Sequence, residues 1–469
     1  MTSPADSLTA HPWFFCGIGG SGMLPLALIL RGQGAAVAGS DRSRAQGRTP
    51  EKFAWLESLG FTLFPQDGSG ITSPDQTLVA SAAVEDTVPE VVRAGELGCP
   101  RMSRAQLLAT LFNAAPLSIG VAGTSGKSTV TGMIGWILTQ AGRDPTIMNG
   151  AVMKNFVAPD APFASARVGA GGLFVSEVDE SDGSIALYNP TVAVLGNVSL
   201  DHKSLDELRV LFGDFLSRAS VAAINLDDAD VAALAPRAGR TVTFALAAVA
   251  DLTVSAVAEQ PTAISATLHD RRDGTSHALA LQVPGRHNLA NALAAIAAAS
   301  AAGVAVSEAV AALAGFTGLA RRFDIVGTSP SGVTVIDDFG HNPDKVGATL
   351  ATLKAHLGRV IAFFQPHGYG PLRQMGEELA ATFARVLGPD DRVILCDPVY
   401  FGGTVDRSVG SERIVDLVNA LGGKAEHVPA RADCAARIVS LAQPGDRVVI
   451  MGARDDTLTQ FARDLLAAL

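Results

Sequence analysis

The stretch from Leu117 to Gln140 constrains the fold more than any other part of the chain. A strand-like segment, Leu117 to Ala122, runs into Gly123-Thr124-Ser125-Gly126-Lys127-Ser128-Thr129, and a helical pattern follows from about Val130 to Gln140. Such a strand, loop and helix cradle phosphates: main-chain N–H groups and the positive helix end face the anion, the lysine reaches the outer phosphates, and the hydroxyl faces Mg2+. The strict spacing of that loop fails, because Val121 stands where its first glycine belongs. A structural turn therefore remains the alternative.

The same pattern begins twice more. Trp13 to Cys16 reads as a strand, Gly17-Ile18-Gly19-Gly20-Ser21-Gly22 as a glycine loop and Met23 to Arg31 as a helix, with Asp41 after a second strand at Ala35 to Ala38. This context suits a nicotinamide or flavin dinucleotide, another diphosphate ligand, or simply a tight turn. A third run starts with Val333 to Ile336 and Asp337-Asp338, and alternates helices with strands at Val360 to Phe364, Val393 to Cys396 and Arg447 to Ile450. At one domain per ~150 residues, 469 residues fit three such runs. The pattern predicts an α/β protein with successive domains at 1–115, 116–325 and 326–469, the first break falling at Asn113-Ala114-Ala115-Pro116.

Composition narrows the function classes. A net charge of −10 gives no basic surface for nucleic acid, so an anionic substrate needs a local basic pocket. Cys16, Cys99, Cys396 and Cys434 lack C-x-x-C spacing and read as reduced thiols, which predicts a cytoplasmic location. Met1 to Ala10 has no basic signal-peptide region. The charge-free run Asn288 to Ser307 is long enough to span a bilayer, but its alanines and interior polar residues predict a buried helix and no membrane insertion. Monomer and homodimer both stay open.

Two further clusters carry chemistry. Ser176-Glu177-Val178-Asp179-Glu180-Ser181-Asp182 puts four carboxylates at the end of an apolar strand. Such a cluster alone reads as a solvated loop, whereas beside a lysine-bearing phosphate loop it reads as an Mg2+ and substrate edge. Asn197-Val198-Ser199-Leu200-Asp201-His202 ends another strand, and His202 is either a structural histidine or a metal or phosphate contact.

Taken together and in order, these motifs resemble the Mur ligase family, ATP-dependent amide ligases of peptidoglycan precursor synthesis. Gly39-Ser40-Asp41, Gly285-Arg286-His287-Asn288-Leu289-Ala290-Asn291-Ala292, Arg321-Arg322-Phe323, Asp337-Asp338-Phe339-Gly340-His341 and Gln365-Pro366-His367 complete the resemblance, which covers essentially the whole chain. It implies an N-terminal Rossmann-like domain for a UDP-sugar, a central ATPase domain and a C-terminal Rossmann-like domain for the amine. ATP with Mg2+ is the implied co-substrate, and UDP-N-acetylmuramate and an amino acid are the implied partners. L-Alanine is the expected amine, with another amino acid or a recycled tripeptide as alternatives.

Carried over residue by residue, the resemblance makes Lys127, Glu177, His202 and Arg322 catalytic and gives Mg2+ to Ser128, Glu177 and His202. Gly123, Thr124, Ser125, Gly126, Ser128 and Thr129 would cradle ATP with Lys127. Asn288 and Asn291 would meet the adenine, Arg322 the γ-phosphate and Asp338 the ribose. Gly19, Gly20, Ser21, Gly22, Ser40 and Asp41 would take the UDP-sugar, and His341, His367 and Arg373 the C-terminal substrate side. Three substrates meeting at interdomain seams imply domain closure that excludes water. An oxidoreductase reading would use Gly17, Gly19, Gly22 and Asp41 but leave Lys127, Glu177, His202 and Arg322 without a role.

The chain departs from the family pattern mainly where the amine would be selected. Ser125 replaces a usual histidine and Ser128 a threonine, and the segment Lys203-Ser204-Leu205-Asp206-Glu207 is short. No lysine stands where several relatives carry a carbamylated one. His341-Asn342 replaces a histidine pair, the arginine usually found after His367 is missing, and Met451 to Asp456 departs from the usual glycine-rich tail. Arg373, Arg407 or Arg454 remain to clamp a carboxylate, each against the alternative of an ordinary surface arginine. A catalytically retired ligase that still binds nucleotide is a further alternative.

Overall fold

The computed structural model describes residues 8, 11–81, 84–199, 203–399, 406–453, 455 and 457–469. Three sheets follow one another along the chain. The first has the order β3-β2-β1-β4-β5, with β1 Trp13–Cys16, β2 Val37–Ser40, β3 Thr62–Phe64, β4 Thr77–Ala80 and β5 Arg101–Ser103. All its pairs are parallel, and β1 lies between β2 and β4. The strand order therefore reverses between β1 and β4, which opens a crevice at their carboxyl ends.

The second sheet runs β15-β14-β13-β12-β11-β10-β6-β9-β7-β8. Its central strands are β6 Leu117–Ala122, β9 Leu173–Glu177 and β10 Val192–Leu195. On one side stand β7 Thr146–Met148 and β8 Ala166–Arg167, and on the other β11 Val221–Asn225, β12 Thr241–Phe244, β13 Leu252–Gln260, β14 Ala263–Asp270 and β15 Thr275–Leu281. β6 is parallel to both β9 and β10 and almost wholly buried, as expected of an apolar strand with neighbours on both sides and helices on its faces. The third sheet runs β16-β17-β21-β18-β19-β20: β16 Asp324–Thr328, β17 Thr334–Asp338, β18 Val360–Gln365, β19 Arg392–Leu395, β20 Ala425–His427 and β21 Arg447–Gly452. Only β16 is antiparallel in it.

Three sheets make two compact units. One comprises residues 1–258, 265–281 and 288–317, the other 259–264, 282–287 and 318–469. The first two sheets share a unit because one apolar cluster runs through both. Phe112, on the helix Arg104–Ala114 that leaves β5, stands edge-on to Phe174 of β9 at 5.9 Å and to Tyr188 at 5.2 Å.

The predicted elements are recovered with shifted ends. The helix expected from about Val130 begins at Lys127, because Gly126 at φ 81° turns the chain straight into it. The charge-free run forms the helix Arg286–Ala301, buried along most of its length, and stops before Val306–Leu313 begins a new helix. Gly303 at φ 87° makes that break. No helix among the described residues is long and apolar enough to cross a membrane. The four cysteines carry no disulfide.

Candidate functional site

The loop after β6 is built for its shape by glycines and an asparagine. Gly123 (φ 131°) and Gly126 (φ 81°) adopt backbone conformations that side-chain-bearing residues rarely take, and a Cβ on Gly126 would lie 2.6 Å from Asn291 Oδ1. Asn197, just past β10, clamps the main chain of Ser125: its Oδ1 accepts the Ser125 N–H at 2.8 Å and its Nδ2 donates to the Ser125 carbonyl at 3.0 Å. Thr124 Oγ1 accepts from the Ser199 N–H at 2.9 Å. The carboxyl ends of β6 and β10 thus form one rim.

Lys127, the first residue of its helix, turns to the end of β9. Its Nζ lies 2.7 Å from Glu180 Oε2, and both side chains are largely shielded from water. Burial disfavours the Lys127 ammonium, but Glu180, Asp179 and Glu177 more than offset it and hold the pKa above the ordinary lysine value. Asp179 is held below the usual carboxylate range against its own burial, by Lys127 and by the Ser181 N–H and hydroxyl. Glu177 Oε1 accepts from the Gly150 N–H at 2.5 Å, and Asn149 Nδ2 donates to the Ser128 carbonyl at 2.9 Å. The Asn149-Gly150 turn thereby ties the two described Mg2+ candidates, Ser128 and Glu177, to one place. Thr129 follows half-buried.

These residues fit a nucleotide phosphate with a cation. The cradle tolerates no Cβ at Gly126, Ser128 is a buried hydroxyl, and carboxylates face the lysine. Asn288 is buried and accepts from Asn291 Nδ2 at 3.3 Å, so the expected adenine contacts form one pair beside Gly126. His202 and Arg454 lie outside the described residues.

The first glycine loop is fixed differently. Asp41 Oδ2 accepts the Gly19 N–H at 2.8 Å while Oδ1 caps the next helix through the Ser43 N–H at 2.7 Å. Ser40 holds the loop through its carbonyl, which accepts from Gly17 at 2.8 Å and Ile18 at 3.0 Å. Its hydroxyl is wholly buried without a hydrogen-bond partner, so its observed contribution is through the main chain. Gly20 and Ser21 are exposed just before the helix Met23–Gly32, and the Gly20 N–H donates to the Gly17 carbonyl at 3.1 Å.

Arg104 was not among the residues singled out from sequence. Its side chain reaches 3.1 Å from where a Gly22 Cβ would stand, and its Nη2 lies 4.0 Å from Asp182 Oδ2, joining the first glycine loop to the acidic loop. Glu180 and Asn197 belong to quoted motifs but had no assigned role. Only their partners in space reveal one.

The other unit carries the remaining candidates. Asp338 uses both carboxylate oxygens locally: Oδ2 accepts from Phe323, and Oδ1 from Gly340 and Thr349. Arg322 lies 4.4 Å above the Phe339 ring. Its neighbour Arg321 is buried at φ 60° and donates to the Gly452 carbonyl at 2.6 Å, a structural anchor. His341 and His367, past the ends of β17 and β18, stack edge-on at 5.1 Å. Burial, with nearby Lys345, pushes His341 down to about 3. The two imidazoles line a pocket with Phe364, Leu372, Met375 and Leu379. Arg373 is engaged elsewhere, 2.9 Å from Asp406 Oδ2.

Comparison with known proteins covers the whole of this architecture. Three family models match in order: Mur ligase family, catalytic domain over 14–115; Mur ligase middle domain over 121–299; and Mur ligase, glutamate ligase domain over 321–454. The UDP-N-acetylmuramate–L-alanine ligase of Streptomyces avermitilis is 35% identical, with 94% of each chain covered. The enzyme of that name from Cereibacter sphaeroides is also 35% identical, over 98% of this chain and 96% of its own. Among solved structures, UDP-N-acetylmuramate-alanine ligase from Thermotoga maritima superposes with a TM-score of 0.80 at 26% identity, covering 97% of this chain and 98% of its own. A murein peptide ligase from Psychrobacter arcticus shares the fold, with a TM-score of 0.72 at 24% identity and 98% of each chain covered.

Proposed function

The chain belongs to the Mur ligase family, and on that premise we propose that it joins L-alanine to the carboxyl of UDP-N-acetylmuramate in a cytoplasmic, Mg2+-assisted reaction. It is an ATP-dependent ligase of peptidoglycan precursor synthesis. The observation that carries the reading is Lys127, held by Glu180 among Glu177 and Asp179 at the mouth of a glycine cradle. We read residues 1–115 as the UDP-sugar domain, 116–325 as the ATPase domain and 326–469 as the amine domain.

A carboxylate is a poor electrophile, so the reaction goes in two steps. The carboxylate oxygen attacks the γ-phosphorus of ATP, the bond to the β-phosphate oxygen breaks, and ADP leaves. The amino acid's ammonium gives one proton to solvent, the resulting amine attacks the acyl carbon, and the bond to phosphate breaks while a second proton passes from the nitrogen to the departing phosphate, leaving the amide. Lys127 neutralises charge on the transferred group, and the main chain of Gly123 to Thr129 orients the phosphates. Ser128 and Glu177 would hold Mg2+ together with His202, and the ion, when bound, supplies further charge neutralisation. Arg322 is the proposed γ-phosphate contact and Asp338 the proposed ribose contact.

The N–H groups of Ser21 and Gly22, at the start of the helix, would receive the sugar's pyrophosphate, with Arg104 as an added cation. Among the described residues, the pocket of His341, His367, Phe364, Leu372, Met375 and Leu379 is lined by no lysine or arginine, which favours a small apolar amine over an acidic tripeptide. The test is phosphate release with ATP, Mg2+ and UDP-N-acetylmuramate across the amino acids and the stem tripeptide, with product masses read. Release with L-alanine and the matching mass gain supports the reading. Release only with another acceptor reassigns the amine, and silence with ATP still bound makes the chain a retired ligase.

A further inference from the structure

At the β20 edge of the third sheet, three potential metal ligands converge. Asp397 follows β19, His427 ends β20, and Glu412 sits in the first turn of the helix Ser411–Ala420. His427 Nε2 lies 2.8 Å from Asp397 Oδ1 and Nδ1 lies 3.5 Å from Glu412 Oε1. One ligand atom from each residue falls within 4.8 Å of the other two.

The backbone beneath them is tied together. Val428 N–H donates to the Leu395 carbonyl at 2.9 Å and Asp397 N–H to the Pro429 carbonyl at 3.0 Å, which join the ends of β19 and β20. The buried Ser411 hydroxyl donates to the Cys396 carbonyl at 2.6 Å and pins the start of the helix to the end of β19. Three separate elements therefore present their side chains from positions set by main-chain bonds. The imidazole is mostly covered, at 15% exposure, whereas the carboxylates of Asp397 and Glu412 are open at 53% and 64%.

A neutral imidazole has one N–H and one lone pair, so it can donate to only one of two facing carboxylates. The second ring nitrogen then presents its lone pair to an anion. A divalent ion removes that conflict by taking the ring lone pair and both carboxylates at once. Zn–N and Zn–O distances of about 2.0–2.2 Å require one carboxylate to rotate toward the ring nitrogen that the other faces, a movement open to the exposed Glu412 side chain. One nitrogen and two oxygens suit a first-row transition ion better than Ca2+ or Mg2+, which prefer oxygen alone.

We propose that Asp397, Glu412 and His427 bind a transition-metal dication of the Zn2+ type, with open positions toward solvent. The site would tie together the ends of β19, β20 and the helix Ser411–Ala420. It shares no residue with Ser128 or Glu177, so its failure and that of the nucleotide assignment are separate.

The test uses the full chain, stripped with chelator and titrated with Co2+ in excess Mg2+. One equivalent of Co2+ should bind, give visible ligand-field bands and be displaced by Zn2+. His427→Gln should abolish those bands, and Glu412→Gln, an exposed change with little risk to folding, should weaken binding at least ~10-fold. Glu177→Gln should leave the bands unchanged. Absence of stoichiometric Co2+ or Zn2+ binding at micromolar metal overturns the proposal, as does equal binding by the His427→Gln chain.

Discussion

The two glycine loops of the first unit leave buried parallel strands in the same way and are held in opposite ways. At Gly17 to Gly22 a carboxylate, Asp41, grips the main chain, and Gly20 and Ser21 stay exposed at the helix start. At Gly123 to Thr129 a neutral amide, Asn197, grips the main chain, and the charged pair Lys127–Glu180 faces the cradle. The contrast separates binding from chemistry. A diphosphate that only has to be held needs N–H groups, whereas a phosphoryl group in transfer needs a mobile-charge sink set in place beforehand. Asn197 also accepts from the Ser125 hydroxyl at 3.3 Å, but its two shorter bonds are to the main chain, which every residue there supplies.

The largest expected effect lies in the second loop. Lys127→Ala should lower turnover on the order of 10²-fold or more, read as steady-state phosphate release. A loss within a factor of ~3 would break the contrast, since that is well under 1 kcal/mol. Gly126→Ala comes next: the added Cβ meets Asn291 Oδ1 at 2.6 Å on a backbone at φ 81°. The left-handed conformation alone costs about 1–2 kcal/mol, so ATP affinity should fall roughly tenfold while the KM for UDP-sugar stays put.

In the first loop the expected pattern is reversed. Asp41→Ala removes a helix cap and the tether on Gly19, and should cost about 1–2 kcal/mol in urea unfolding and raise the KM for UDP-sugar, with ATP affinity unchanged. Equal losses for both substrates would show that the loops act as one site.

The smallest effect sharpens the comparison with the second unit, where burial disfavours the charged forms of His341 and His287. His341 titrates near 3 in the folded chain, below its unfolded value, so unfolding takes up a proton between about pH 6.5 and 3. His287, also lowered by burial, acts in the same direction. Stability should therefore fall as pH drops below about 6.5, and His341→Gln should flatten that slope by up to about 1.4 kcal/mol per pH unit. Asp179 belongs to a lower window, because a carboxylate held below its usual value loses its stabilisation only as the pH falls below about 4. Urea titrations at several pH values above 5 isolate the histidines. An unchanged slope would place the His341 proton elsewhere.

Much of this was legible in the chain. β6 occupies Leu117–Ala122, the residues its strand-like segment marks, and β18 starts at Val360 as expected. The antiparallel edge β16 escaped notice because its residues are half-buried and its partner β17 supplies the reason for it to be a strand. Glu180 could be seen as one of four acids but not as the one that meets Lys127, 53 positions away. Arg104 had no motif at all, and its signal is purely spatial.

The sequence by itself determined the elements, the glycine turns and the kinds of chemistry at the strand ends, because periodicity, turn residues and a Gly-Lys-Ser loop act over a few neighbouring residues. Tertiary structure decided which carboxylate pairs with the lysine, that one apolar cluster binds two sheets into a unit, and that Asp397, Glu412 and His427 converge. Those outcomes depend on strand order, which brings together residues that the chain keeps far apart.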